Sequence, residues 1–121
     1  MKNQKDLYNQ LNKNIELDKI QDYIKSVINI RGFKNQPVEH EVLLLIEEVG
    51  ELAKAIRKEK TSMCIDKNKI RNYDTVENEI ADVFIVLSSI CNTLNINLFD
   101  AFYEKEKMNI ERTWNNDNKN N

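Results

Sequence analysis

Glycine and proline are nearly missing: the 121 residues include two Gly and one Pro. So little punctuation excludes the many tight turns of an all-β fold and leaves a chain that leans helical. One histidine (His40) and two distant cysteines (Cys64 and Cys91), with no CxxC pair, remove the usual ligands of structural zinc and the paired Glu-x-x-His motifs of di-iron bundles. Both cysteines read as small, buried or half-buried apolar residues. No apolar run nears the ~20 residues of a membrane span; the longest of that character covers residues 83–87. The opening MKNQKDLYNQLNKN has no apolar segment of the signal-peptide kind, so the expected compartment is the cytoplasm. Charge of one sign is lacking too. Eighteen Lys and Arg against twenty Asp and Glu leave a net of −2, which offers no general attraction to nucleic acid polymers or anionic membranes.

What is present is helical periodicity, in four segments. The first covers residues 17–30, with Leu17, Ile20, Ile24, Val27 and Ile28 on one side and Arg31-Gly32 ending it. Gln36-Pro37 opens the second, which carries to about residue 59, because proline fits a first helical turn where its missing N–H is no loss. A polar stretch follows over 60–73. Asp74-x-x-Glu77 resembles a capping box and starts the third helix, to about residue 94. After the break Asn95-Ile96-Asn97, the fourth covers 98–114. Residues 1–14 read as a polar N-terminal arm or short helix, 15–114 as one helical domain, and the Asn-rich 115–121 as a disordered tail. The expected architecture is all-α, a compact antiparallel four-helix bundle. Leu43, Leu44, Ile46, Phe84 and Ile85 lie beyond one clean apolar stripe, more than a short bundle buries alone, which points to completion by oligomerisation.

The informative residues are acids. On the second helix, Val42, Leu45, Val49, Leu52 and Ile56 fall within an arc of about 80°, the expected core face. Glu47, Glu48 and Glu51 share another arc of about 100°, which also contains Leu44 and Ala55. That stripe reads either as a solvated face with Lys54 and Lys58 as partners or as a surface that meets something. On the third helix, Glu79 projects into the apolar stripe of Val83, Val86, Leu87, Ile90 and Leu94, and Asp82 flanks it. A carboxylate in a core face is costly unless paired or bound to a metal. Arg31, Arg57, Arg71 and Arg112 are too few to neutralise five clustered acids, so the other neutraliser is a cation. Oxygen-only ligands select hard ions, Mg²⁺ or Mn²⁺ before zinc or iron. A mid-helix Gly50 reads as room for close approach of another helix or a ligand.

The fourth helix carries the opposite charge. Lys105, Asn109 and Arg112 share a face within about 60°. Two cations and an amide in line suit a polyphosphate, with Arg forking to oxygens and Lys as a point charge. Acids for metal together with bases for phosphate are the pattern of metal-assisted phosphate-ester chemistry.

Glu47-Glu48-Val49-Gly50-Glu51, a gap of 27 residues, Glu79-Ile80-Ala81-Asp82 and the later Lys105-x-x-x-Asn109-x-x-Arg112 resemble the MazG family of all-α nucleoside triphosphate pyrophosphohydrolases. The resemblance spans residues 17–114. It implies hydrolysis between the α and β phosphates to a monophosphate and pyrophosphate, in the service of nucleotide-pool house-cleaning. It further implies Glu48, Glu51, Glu79 and Asp82 as ligands of Mg²⁺, with Mn²⁺ as substitute, and Glu47 and Glu48 as catalytic carboxylates. Glu47 would stand behind the ligands or prepare the attacking water. Lys105, Asn109 and Arg112 would bind phosphate, and Phe33 would stack on the base. Some relatives carry an aromatic one turn after the last Asp, where Val86 stands here. The family resemblance also implies a homodimer or homotetramer. The reading from a different class is a non-catalytic helical module that binds a nucleotide or a protein, its acids kept for metal-stabilised folding.

Overall fold

The computed structural model describes residues 2–66 and 74–112, and those residues form five helices and no strand. They are α1 (Gln4–Asn9), α2 (Leu17–Ile30), α3 (Val38–Lys60), α4 (Val76–Thr93) and α5 (Leu98–Ile110). The short α1, inside the polar N-terminal segment, starts from a capping box. The Asn3 side chain accepts from the Asp6 N–H at 2.9 Å, and the Asp6 carboxylate accepts from the Asn3 N–H at 3.3 Å. The expected tail over 115–121, Trp114 and the last part of the polar stretch lie outside the described residues.

The helix ends follow from local chemistry. α2 stops where Arg31, the C-cap, is followed by Gly32 at φ 93, with the Phe33 N–H returning to the Ile28 carbonyl at 3.0 Å. This six-residue closure needs a left-handed residue, which glycine supplies without a Cβ penalty. α4 ends the same way, with Asn95 at φ 56 and the Ile96 N–H on the Cys91 carbonyl at 2.8 Å. Two starts differ from expectation. Pro37 is the N-cap of α3 and not part of its first turn. The cap of α4 is Thr75, whose hydroxyl accepts from the Asn78 N–H at 3.1 Å. Asp74 instead takes the Thr75 N–H and the Asn78 amide. The expected box of Asp74 and Glu77 is thus displaced by one residue, since Thr75 is itself a good cap and lies nearer the helix.

α4 is the middle of the molecule. Its largest contact is with α3 and its next with α2, while α1 and α5 lean on α2. α5 leaves α4 at 97°. No single described helix is long and apolar enough to cross a membrane. The fully buried apolar side chains are Ile24 and Val27 of α2, Ala55 of α3 and Cys91 of α4. Each large one contributes about 1.5–3 kcal/mol by leaving water. Burial also raises the Cys91 thiol above its ordinary range, which keeps it protonated.

Three expectations about packing are corrected. The line of α3 set against α4 is Glu41, Glu48 and Ala55, whereas Val42, Val49 and Ile56, on the expected core face, stay exposed. The reason is the neighbour: the side of α4 turned to α3 is itself polar, carrying Glu79, Asp82 and Ser89. On the stripe expected of α4, Leu87 and Leu94 are likewise exposed, for within this chain their side of the helix has no further layer. Cys64 is exposed, because it lies in the non-helical 61–66 beyond the end of α3. Gly50 has open space where a Cβ would sit, so among the described residues nothing approaches it closely.

Candidate active site and metal centre

Seven residues bring a helix nearly full circle, turning it by about −20°. Glu41, Glu48 and Ala55 therefore stack along one line of α3, and Asp82 and Ser89 along one line of α4. The helices run antiparallel, so Glu48 meets Glu79 and Asp82 at one level, while Glu41 meets Ser89 two turns away. Glu48, Glu79 and Asp82 each offer a carboxylate oxygen, and these oxygens all lie within 4.8 Å of one another. Glu79 is buried, at 6% exposure, and its Oε2 has no hydrogen-bond partner. Among the described residues no Lys or Arg forms an ion pair with any of the three.

Such crowding opposes ionisation. The Glu48 carboxyl is pushed above its ordinary value of 4.5, first by desolvation, then by the charges of Asp82 and Glu79. A hydrogen bond with Glu79 raises it further and partly relieves Glu79. Glu79 is also raised, by desolvation and by the charges of Asp82, Asp74 and Glu51. Three carboxylates that among the described residues form no ion pair with Lys or Arg, one of them buried with an unpartnered oxygen, fit a divalent cation of the Mg²⁺ or Mn²⁺ kind.

Glu51 lies one turn from Glu48 and close enough to act on it electrostatically, though its own carboxylate is exposed and meets Lys54 at 3.3 Å. Glu47 is exposed, beside the group and not in it. No curated protein matches the sequence. The sequence pattern of the MazG nucleotide pyrophosphohydrolase domain, however, matches residues 36–113, well over half of the chain. The chain belongs to the MazG family.

At family level the MazG chain is thus a hydrolase of the nucleotide pyrophosphohydrolase type. The match covers α3, α4 and α5, and so all of the acids gathered between α3 and α4. The basic residues of this MazG chain stand on another helix. Lys105 and Asn109 are on α5 and Arg112 is in the turn after it, and α5 packs on α2. Among the described residues no ion pair joins Lys105 to the acidic group. Phe33 is half-exposed in the loop before α3, where it lines a cavity whose wall also includes Glu41 and Ser89. His40 is exposed, and Tyr73 lies outside the described residues. Glu41 is absent from the sequence-based site. Its signal was the seven-residue interval to Glu48, which puts both carboxylates on one line.

Proposed function

We propose that this MazG chain is a Mg²⁺-dependent nucleoside triphosphate pyrophosphohydrolase that cleaves between the α and β phosphates, releasing a monophosphate and pyrophosphate. The observation that carries the reading is the meeting of Glu48, Glu79 and Asp82 across α3 and α4, with no Lys or Arg among the described residues in an ion pair with them. Glu48, Glu79 and Asp82 would hold the metal, with Glu51 as a fourth oxygen donor once it turns from Lys54. When bound, the cation supplies neutralising charge for the phosphates and acidifies water in its contact. Glu47, exposed at the edge of the group, would accept a proton from the attacking water and orient it. In-line attack at the α phosphorus then requires chiefly positioning and charge stabilisation. Lys105, Asn109 and Arg112 supply the donors for the departing phosphates. Phe33 supplies an aromatic face for the base.

The same proposal includes a second copy of the chain. On α3, Leu43 and Ile46 are 61% and 63% exposed, and Val42 and Val49 lie beside them, an apolar strip too continuous for a solvated face. A homodimer, or a homotetramer built from it, covers that strip. Light scattering on the purified protein should give a multiple of the 14.3 kDa chain mass.

The deciding experiment measures pyrophosphate release from common and modified nucleoside triphosphates, with Mg²⁺, with Mn²⁺ and with chelator. The expected result is equal yields of monophosphate and pyrophosphate that vanish on chelation. Silence across the panel, from folded protein that still binds Mg²⁺, would establish the non-catalytic binding module instead.

A further inference from the structure

Glu41 is the second buried carboxylate on the line of α3, and it stands apart from the metal-binding group. It is 5% exposed. Its Oε1 accepts the Ser89 hydroxyl at 2.9 Å, while Oε2 is sealed from solvent and has no hydrogen-bond partner. Ser89, also buried, spends its only proton on that bond, so its oxygen presents lone pairs. Both groups therefore accept and neither donates. They line a cavity of about 280 Å³, whose wall also carries Asn29 and the half-exposed ring of Phe33. A space of that size admits a planar ring system.

Position adds a second constraint. Seven residues along α3 separate Glu41 from Glu48, about 10 Å of helix rise, and the same interval separates Ser89 from Asp82 on α4. That matches the reach of a nucleotide from its α phosphate across the sugar to the edge of its base. Resting on the hydrolase reading above, we propose that Glu41, with Ser89, is the specificity-determining group that reads the nucleobase. It selects a base bearing an amino group where uracil, thymine and hypoxanthine carry a carbonyl. Once the carboxylate turns toward the cavity, an amino group gives the orphaned Oε2 its missing proton donor. A carbonyl there sets oxygen against oxygen, and the base must shift to bring its neighbouring ring N–H to the carboxylate, a mismatch that costs affinity. Cytosine and adenine nucleotides satisfy the requirement.

The test compares pairs that differ by that one exchange, CMP against UMP and AMP against IMP. Their binding to the full-length protein is followed by calorimetry, beside the turnover of the corresponding triphosphates. The expected preference for the amino member is about 10- to 100-fold, the worth of one hydrogen bond to a charged group. Glu41→Gln keeps an oxygen for Ser89 and turns an NH₂ toward the base. It should erase or invert the preference in binding and in kcat/KM together. Where that variant does not fold, the wild-type ratios alone decide. Equal binding within each pair, or a preference for the carbonyl member, overturns the proposal even if pyrophosphate is released. Preferential binding of the amino member without turnover leaves Glu41 as the base reader and removes the hydrolase reading.

Discussion

Two polar clusters buried against α4 are satisfied on opposite terms. Toward α2, the Gln21 amide donates to Asn92 Oδ1 at 3.1 Å and to the Ile96 carbonyl at 2.9 Å. It accepts from the Leu98 N–H at 2.7 Å, and the Asn92 amide returns a bond to the Gln21 carbonyl at 2.9 Å. Every polar group of that cluster has a partner inside the chain. Toward α3, Glu79 Oε2 and Glu41 Oε2 have none, and Glu48 faces other acids. A closed network stabilises and specifies a fold, whereas buried valences left open are an expense that a ligand can repay. The contrast separates structural polarity from functional polarity within a single helix.

The sharpest way to break that contrast is to neutralise the open side. Glu48→Gln or Asp82→Asn should cut pyrophosphate release by at least ~100-fold, more than the loss of a group that merely orients a ligand. Because like charges are relieved, the metal-free variants should melt no lower than the parent. Activity retained in full would remove the acidic group from the chemistry. The closed side should respond in the opposite currency. Gln21→Ala strands the Leu98 N–H, Asn92 Oδ1 and the Ile96 carbonyl, so it should cost about 2–3 kcal/mol in urea unfolding. Mg²⁺ affinity, measured by calorimetry, should hardly change.

Acidity sharpens the comparison further. The folded pKa values of Glu48 and Glu79 lie above the ordinary 4.5, so their contribution to stability is complete below that pH and is lost as pH rises through the raised values. Asp74, held below 3.8 by its bonds to Asn78 and Thr75, has the opposite sign and loses its contribution only as pH falls. The upshift of melting temperature by Mg²⁺ should accordingly grow as pH rises from about 4.5 toward neutrality. A Mg²⁺ shift that stays flat across that window would place the cation elsewhere. A smaller effect comes from Gly50→Ala. It should stabilise an isolated chain by up to ~1 kcal/mol, since the space for a Cβ is open. Destabilisation, read together with a loss of dimer in light scattering, would mean that a second copy packs against Gly50. Smallest of all, Lys54→Met removes an exposed pair with Glu51 and should alter stability by no more than ~0.5 kcal/mol.

Much of the framework was legible from residue order. Periodicity alone set α2 at Leu17–Ile30, and Gly32 marked its end through the left-handed geometry it now holds. The burial of Glu79 also followed from its direction within an apolar stripe. What helical angles do not contain is the identity of the neighbour. They give the directions of Val42 and of Glu48 around α3 equally well, but only the polar face of α4 decides which of the two is covered. Glu41 escaped notice for the same reason. A lone acid one turn into a helix has the look of an ordinary N-terminal charge until Ser89 arrives from the other helix.

Gln21 also fixes where the molecule divides. Its one amide grips the end of α4 at Asn92, the link at Ile96 and the start of α5 at Leu98, and so braces a 97° corner from the outside. Yet Gln21 falls before residue 36, where the family match begins. The stretch by which this chain is recognised is therefore shorter than the stretch that folds. A fragment cut to the recognised boundaries would keep every acid of the candidate site and lose the hand that holds α5 at its angle.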